Sequence, residues 1–344
     1  MKICMLTDAW FPIWGGGQEH IWETSKLLVK NRGCEIDIII PNLTDKNGKK
    51  YPSVEKYLGG KLRLFRLGPP FVFPNLFGRL IFILHSTFYI LHSSHDLYHS
   101  HSFSTSLFLP LARLRGKKCG VTVHGKGVNL VGGGVLNRIG LPKLLMNLVL
   151  YVWPYNFRLS ASKLPGYVQV GNGVDVSEFD REKSRPDPKH LTALCVARPD
   201  PVKGIAVLEE AIKTVEKSHP KIRLNLVTGR PRSAKDFKTA DLYVLPSLSE
   251  GFPIVLLEAM AAGLPIVATD VGDCRQLVEQ ARCGYVVPPG RPSSLAAAIT
   301  RLTKTGRKER EKLGKNGYDF AKSNYTWEKV AGKVVTVYQS SLSR

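Results

Sequence analysis

Three features of the sequence predict an α/β protein of two domains, each built on a parallel sheet. Short apolar runs alternate with helix-like segments, the pattern of strand and helix layers. At 344 residues the chain has room for two ordinary domains. A polar, turn-rich stretch with two nearby prolines, GNGVDVSEFDREKSRPDP (Gly171 to Pro188), marks a boundary between them.

In the first half, apolar runs predict strands at Lys2 to Leu6, Glu35 to Ile40, Leu62 to Leu67, Asp96 to His99 and Lys118 to Val123. Helical periodicity predicts Glu19 to Lys30 and Leu107 to Leu114 between them. In the second half the strands fall at Leu191 to Val196, Ile222 to Val227, Leu242 to Leu245, Ile266 to Thr269 and Tyr285 to Val287. Helices there cover Val207 to Lys217 and Cys274 to Ala281, and a further helix carries the Val/Tyr stripe of YTWEKVAGKVVTVYQ. These elements divide the chain into 1–173, 174–325 and a terminal helix, 326–344.

Hydrophobic residues make up 43% and charged residues 22%, as in a soluble globular protein. The six cysteines form no C-x-x-C pair and lie mostly in apolar runs, so reduced, buried thiols in a cytoplasmic protein are expected. Residues 1 to 10 read as a core strand, not a signal peptide. The net charge is +21, and 13 of that surplus falls up to Gly173. Such a half suits an anionic partner: nucleic acid, a phosphorylated substrate or an anionic membrane face. The apolar stretch Phe71 to Leu91 is broken by Pro74, Arg79 and His85, too soon for a membrane span of ~20 residues. It fits a helix that lies at an interface or is buried.

The richest segment is Leu245 to Asp270, LPSLSEGFPIVLLEAMAAGLPIVATD. Glu250 sits in a strand-to-helix loop and Glu258 about two turns into the helix. Eight residues at 1.5 Å each separate them by roughly 12 Å along the axis. Paired glycosidase carboxylates sit nearer, about 5 to 9.5 Å apart. This pair suits the two ends of one long ligand, and the helix N-terminus offers free N–H groups to an anion.

The segment resembles the E-x7-E signature of the family 4 retaining glycosyltransferases, the group of sucrose and glycogen synthases and phosphatidylinositol mannosyltransferases. The flanking EGFP, LLEAMAAGLPIVAT and GYVVPPG also match. The resemblance implies the GT-B fold, two Rossmann-like domains facing an interdomain cleft, with NGVD at the domain passage. Its terminal helix returns to the N-terminal domain; packing on its own domain fits the periodicity equally. The segments Leu159 to Val170 and Val227 to Asp241 are shorter than the family pattern, and the second leaves base recognition open.

Other residues acquire roles by the same resemblance. Arg198 and Lys203, in VARPDPVKG, match the cations that neutralise the departing diphosphate, although Ala197 replaces the usual glycine. Two cations on one loop suit that task, Arg as a planar fork and Lys as a point charge. Glu250, with Gly251, Phe252 and Pro253, would bind the donor sugar, and Glu258 the ribose hydroxyls. Gly16 and Gly17, in WGGGQ, match the family's glycine loop; His20 excludes a G-x-G-x-x-G fingerprint. His124, in VTVHGKG, matches the histidine beside the reacting sugar.

His92, His95, His99 and His101 invite a metal reading, but no carboxylate or cysteine completes a ligand set, and neighbours in His99-Ser100-His101 face opposite sides of a strand end. There is no D-x-D pair and no G-x-S-x-G motif. The expectation is therefore a cytoplasmic retaining glycosyltransferase, peripheral on the inner membrane face, needing no metal or other cofactor. Its partners would be a nucleotide-sugar donor, a glycan or lipid-linked acceptor and an anionic membrane surface, with no nucleic acid. The rival is a basic non-catalytic module on nucleic acid or membrane, though it lacks the aromatic-interleaved basic stripe of single-strand binders. A phosphorylase-like protein would need a lysine-linked pyridoxal phosphate.

Overall fold

A computed structural model describes residues 1–45, 47–72, 76–107, 109–124, 155–179, 190–229 and 231–343. Its contacts divide the chain into two compact units. Unit 1 is Met1–Gly171 with Val330–Arg344, and unit 2 is Asn172–Lys329. The breaks thus lie two residues before and four residues after those read from the sequence. Asn172 joins unit 2 because its Nδ2 donates to the Phe252 carbonyl at 2.9 Å. The Val174 N–H likewise donates to Tyr325 O. The rest of the boundary stretch, 180–188, lies outside the described residues.

Unit 1 carries an eight-stranded sheet. Its strands are β1 (Lys2–Leu6), β2 (Glu35–Thr44), β3 (Val54–Tyr57), β4 (Leu62–Val72), β5 (Leu97–Ser100), β6 (Lys118–Val123), β7 (Phe157–Ser160) and β8 (Val168–Gln169). Their order is β3-β4-β2-β1-β5-β6-β7-β8, and only β3 runs antiparallel to its neighbour. The central strands are buried on both faces, which explains their unbroken apolar runs. Ile3, Met5, Ile36 and Ile38 pack on one side with Val334, Val335 and Tyr338 of the terminal segment. Cys4, Leu6, Ile39 and Tyr98 pack on the other with Phe82 and Ile90.

Two helical expectations change. The apolar stretch Phe71 to Leu91 is not one element: β4 continues through Val72, and helix α2 runs Leu76–His92, after α1 (Gly16–Arg32). Helix α2 is also neither wholly buried nor wholly interfacial. Phe82, Ser86 and Ile90 face the core, while Phe77, Leu80, Leu84 and Phe88 are exposed. The helix expected at Leu107 to Leu114 begins only at Pro110, as α4 (Pro110–Leu114), and a separate short helix, α3 (Phe103–Ser106), precedes it. Pro110 has no N–H to continue a helix and instead opens the second.

Between Leu159 and Val170, β7 and β8 are joined by a turn without a helix. Unit 2 opens with the short α5 (Val176–Phe179) and holds a fully parallel five-stranded sheet. The strands are β9 (Leu191–Val196), β10 (Ile222–Val227), β11 (Leu242–Leu245), β12 (Ile266–Thr269) and β13 (Gly284–Val287), ordered β10-β9-β11-β12-β13. Among its helices are α6 (Ile205–Ser218), α7 (Ala234–Lys238), α8 (Ile254–Ala261) and α9 (Cys274–Ala281). α10 (Pro292–Lys304) and α11 (Arg307–Asn324) follow, and α12 (Trp327–Leu342) ends the chain. Among the described residues, the short stretch between β10 and β11 contributes only α7. All six cysteines are buried and unpaired.

Candidate active site

In both sheets the chain reverses its winding at a defined place. In unit 2 it passes from β9 outward to β10, then crosses to β11 on the other side of β9. In unit 1 the corresponding reversal lies between β1 and β5. Ligands of open parallel sheets bind at the carboxyl ends of strands at such points. Every candidate residue named above follows a strand or lies near such an end.

In unit 2 the loop after β9 holds Arg198 and Lys203, and the loop after β11 holds Glu250. Lys203 Nζ donates to Glu250 Oε1 at 2.7 Å, and Ser247 Oγ donates to the same oxygen at 2.7 Å. Both members of the ion pair are mostly buried. The backbone fixes this meeting. Leu248 N–H donates to Val202 O at 2.7 Å, and Gly204 has φ +66° with its Cα against Pro246 O. A Cβ at Gly204 would stand 2.1 Å from that oxygen, so only glycine fits. Gly272, φ +57°, closes the other side: its Cβ would lie 2.2 Å from Gly251 O and 2.6 Å from Glu250 O. Arg198 is exposed on the same loop and makes no side-chain hydrogen bond or ion pair among the described residues.

Glu258 is not joined to Glu250. Helix α8 begins only at Ile254, so Glu258 lies about one turn in, not two, and the 12 Å helical separation does not apply. It is buried, and Arg232 Nε donates to its two oxygens at 2.7 and 2.6 Å. Phe252 and Pro253 are buried too. The Phe252 ring packs on Tyr325, so its side chain shapes the loop while Gly251 stays half-buried.

In unit 1, Gly15 is the extended N-cap of α1, and Gly16 and Gly17 open the helix. A Cβ at Gly17 would touch the His124 ring at 3.4 Å, so the glycine loop and His124 are neighbours. His124 follows β6 and lies against His20, whose ring is 4.9 Å away, and His101, whose Nδ1 is 3.0 Å from His124 Nε2. His99 and His101 lie on the same side of the strand end, rings 4.1 Å apart, because side chains two apart share a face. His99 bonds to Tyr338 Oη and, at 2.7 Å, to Thr122 Oγ1. Burial pushes His99 down to about 3 and holds His101 and His124 well below the usual imidazole range, with the neighbouring imidazoles adding to it. These three imidazoles are neutral at physiological pH.

Ser247, Arg232, Asn172, His20 and His101 were not assigned to the site by the sequence. Ser247 lies three residues before Glu250 in the same loop, whereas the other four are recognisable only once the fold brings distant segments together.

Two family models match the chain: "Glycosyltransferase Family 4" over residues 14–158 and "Glycosyl transferases group 1" over 229–320. They contain the glycine loop with His124 and the Glu250–Glu258 segment respectively. The chain is a family 4 glycosyltransferase of the GT-B fold. This glycosyltransferase is 25% identical over 377 residues to a phosphatidyl-myo-inositol mannosyltransferase of Mycobacterium leprae (strain TN), covering 99% of the chain and 97% of the relative. It is 32% identical over 207 residues to one of Mycobacterium tuberculosis (strain ATCC 25618 / H37Rv), over 50% of the chain and 54% of that protein. The fold is shared with sucrose-phosphate synthase from Thermosynechococcus elongatus, at TM-score 0.78, 20% identity and 98% coverage of both chains. It is shared also with Anabaena HepE in complex with UDP, at TM-score 0.70, 15% identity and coverage of 99% and 100%.

Proposed function

We propose that the glycosyltransferase moves a sugar from a nucleotide-sugar to a lipid-linked hydroxyl acceptor, with retention of configuration and without a metal. The observation that carries the reading is the Lys203–Glu250–Ser247 group at the unit 2 switch point. A mostly buried carboxylate held by a cation and a hydroxyl suits sugar hydroxyls beside a diphosphate. Lys203 and Arg198 take up the negative charge that grows on the departing diphosphate, a role elsewhere filled by a metal. Glu258 binds the ribose, sharing its oxygens with Arg232 or releasing it. Gly16, Gly17 and His124 support the reacting sugar, and the acceptor hydroxyl attacks on the leaving-group face with a phosphate oxygen taking its proton.

A lipid acceptor is supported by the names of the mycobacterial relatives and by the surface of unit 1. Phe77, Leu80, Leu84, Phe88 and Leu91 form one exposed stripe on α2 at helical spacing. Leu114, 84% exposed, stands between Arg113 and Arg115, and Arg115 Nη1 donates to the Ile90 carbonyl near the end of α2. From Lys56 to Val174 the sequence holds 14 Lys and Arg but one carboxylate, Asp96. An apolar ridge beside cations is the chemistry of an anionic bilayer surface. Among the described residues no helix is long and apolar enough to cross a membrane; in the proposed reading α2 lies on its surface.

The test is a thermal-shift panel of UDP-, GDP- and ADP-sugars, followed by transfer to phosphatidylinositol in vesicles and assignment of the product anomer. One donor should raise the melting temperature by selective binding to the folded state. No stabilisation by any donor and no transfer would refute the reading.

A further inference from the structure

Glu258 is the buried end of the proposed donor site, and Arg232 stands over it. The carboxylate side chain is 7% exposed and the arginine side chain 31%, so a ligand arriving from solvent meets the guanidinium first. Arg232 Nε–H is divided between the two oxygens, at 2.7 Å from Oε1 and 2.6 Å from Oε2. A donor nearly equidistant from both oxygens lies between them and uses the lone pairs that face each other. A vicinal diol that gives one O–H to each oxygen needs the same lone pairs from the same side. The guanidinium and a ribose diol therefore exclude one another at Glu258. Burial explains why the place is filled at all, since a buried carboxylate left without a partner is costly. Arg232 follows β10 in the short stretch before α7, and the backbone beside it is held by a capping box in which Ser233 N–H donates to Asp236 Oδ2 at 2.8 Å. With Ser233 fixed, Arg232 leaves by turning about its own side-chain bonds, without a movement of the loop.

We infer that Arg232 is a competitive gate on the donor site: its guanidinium fills the ribose place at Glu258 until a nucleotide displaces it, and so sets how strongly the site prefers a ribonucleotide. This rests on the proposed role of Glu258 toward the ribose. Arg232 Nε–H serves both oxygens, whereas the diol offers each its own O–H, so the exchange gains a hydrogen bond and gives up an ion pair. A partly exposed ion pair is weak enough to open. While it is closed, the apparent nucleotide affinity is reduced to the fraction of molecules in which the carboxylate is uncovered. A nucleotide without the diol has no use for Glu258 and binds beside the closed gate.

Calorimetric titration of the full chain with UDP, GDP and ADP, each beside its 2′,3′-dideoxy form, measures the gate. The ratio of dideoxy to ribose dissociation constants isolates the diol, because losing a cation near the phosphates affects both forms alike. Titration at pH 8.5, about four units above the ordinary glutamate value, keeps an uncovered Glu258 ionised. In Arg232→Ala the preference for the ribose form should widen roughly 2- to 10-fold over wild type, the factor by which the closed ion pair hides the carboxylate. Arg232→Gln removes the charge while keeping much of the bulk, and should shift the ratio in the same direction; it serves in place of the alanine variant if that one does not fold. A ribose preference that is present in the wild type and stays the same or narrows in the variants overturns the gate, and narrowing would make Arg232 a direct partner of the ribose. Equal binding of ribose and dideoxy forms in the wild type and in both variants instead removes Glu258 from the ribose, and the gate falls with it. A preference that emerges only in the variants supports the gate, since the wild-type carboxylate is then hidden throughout.

Discussion

The two candidate carboxylates of unit 2 are each held by a cation. Glu250 sits between Lys203 and Ser247, and Glu258 beneath Arg232. Glu258→Gln should weaken donor binding roughly 10- to 100-fold, since a charge-assisted hydrogen bond contributes about 1.5 to 3 kcal/mol. Glu250→Gln should lower turnover more than donor affinity, because it loses the carboxylate that orients Lys203 and, in the proposed function, a sugar contact. Calorimetric titration with the donor identified in the panel, alongside steady-state kinetics, distinguishes the two; wild-type values in both variants would remove the carboxylates from the site. Lys203→Ala and Arg198→Ala should slow the chemical step, where charge develops. EDTA should leave transfer intact, and activity lost to chelation and restored by Mg²⁺ would contradict a metal-free mechanism.

The element that decides membrane behaviour is α2. Its inner side is pinned through Tyr89, whose hydroxyl donates to buried Asp37 at 2.9 Å. Arg63 grips the same carboxylate at 2.6 and 2.9 Å, and His95 joins it at 3.0 Å. Burial raises the Asp37 pKa, but these hydrogen bonds outweigh it and hold it below the usual carboxylate value. The outer side leaves Phe77 72%, Leu84 67% and Phe88 64% exposed. Moving such side chains out of water stabilises by on the order of 1 kcal/mol each. Wild-type protein should float with phosphatidylglycerol vesicles at low salt and less at high salt. Leu84→Ser combined with Phe88→Ser should abolish flotation with little loss of stability, since neither residue packs in the core. Flotation that survives the double substitution would assign the contact elsewhere. The sequence showed the stretch as apolar but not its two faces, because a helix apolar all round carries no periodic signal to separate core from surface. The strands gave the opposite case: β1, β6, β9, β10, β11 and β12 were readable to the residue, since each run ends abruptly at a turn.

For the whole molecule, the buried histidines set a pH limit. His99, His101 and His124 are neutral in the folded state and ordinary in the unfolded chain, where histidine titrates near 6.5. Below that value the unfolded chain binds more protons than the folded one, so stability falls as pH falls. The fall continues toward the folded value of about 3 for His99. Each histidine contributes up to about 1.4 kcal/mol per pH unit in that window. Melting temperature should therefore be flat above pH 7 and drop from pH 6 to 4.5, less steeply in His99→Gln. A flat acid limb would show that the imidazoles titrate normally. The motifs that name the family were visible in the chain, whereas this cluster was not, because His20, His99 and His124 meet only through the order of the unit 1 strands.

The glycines that wedge the Glu250 loop also determine where this protein can change over evolutionary time or in a laboratory library. Gly204 and Gly272 are each pressed against a carbonyl oxygen with a left-handed backbone, so even a methyl group there would displace the loop. Gly306, with open space around its Cα, should accept most replacements. A saturation library would then show near-total intolerance at two positions far apart in sequence, with exposed Leu248 and Ser249 varying freely between them. Diversification of the loop is confined to those two side chains, and a redesign of donor choice would begin there with its backbone already held in place.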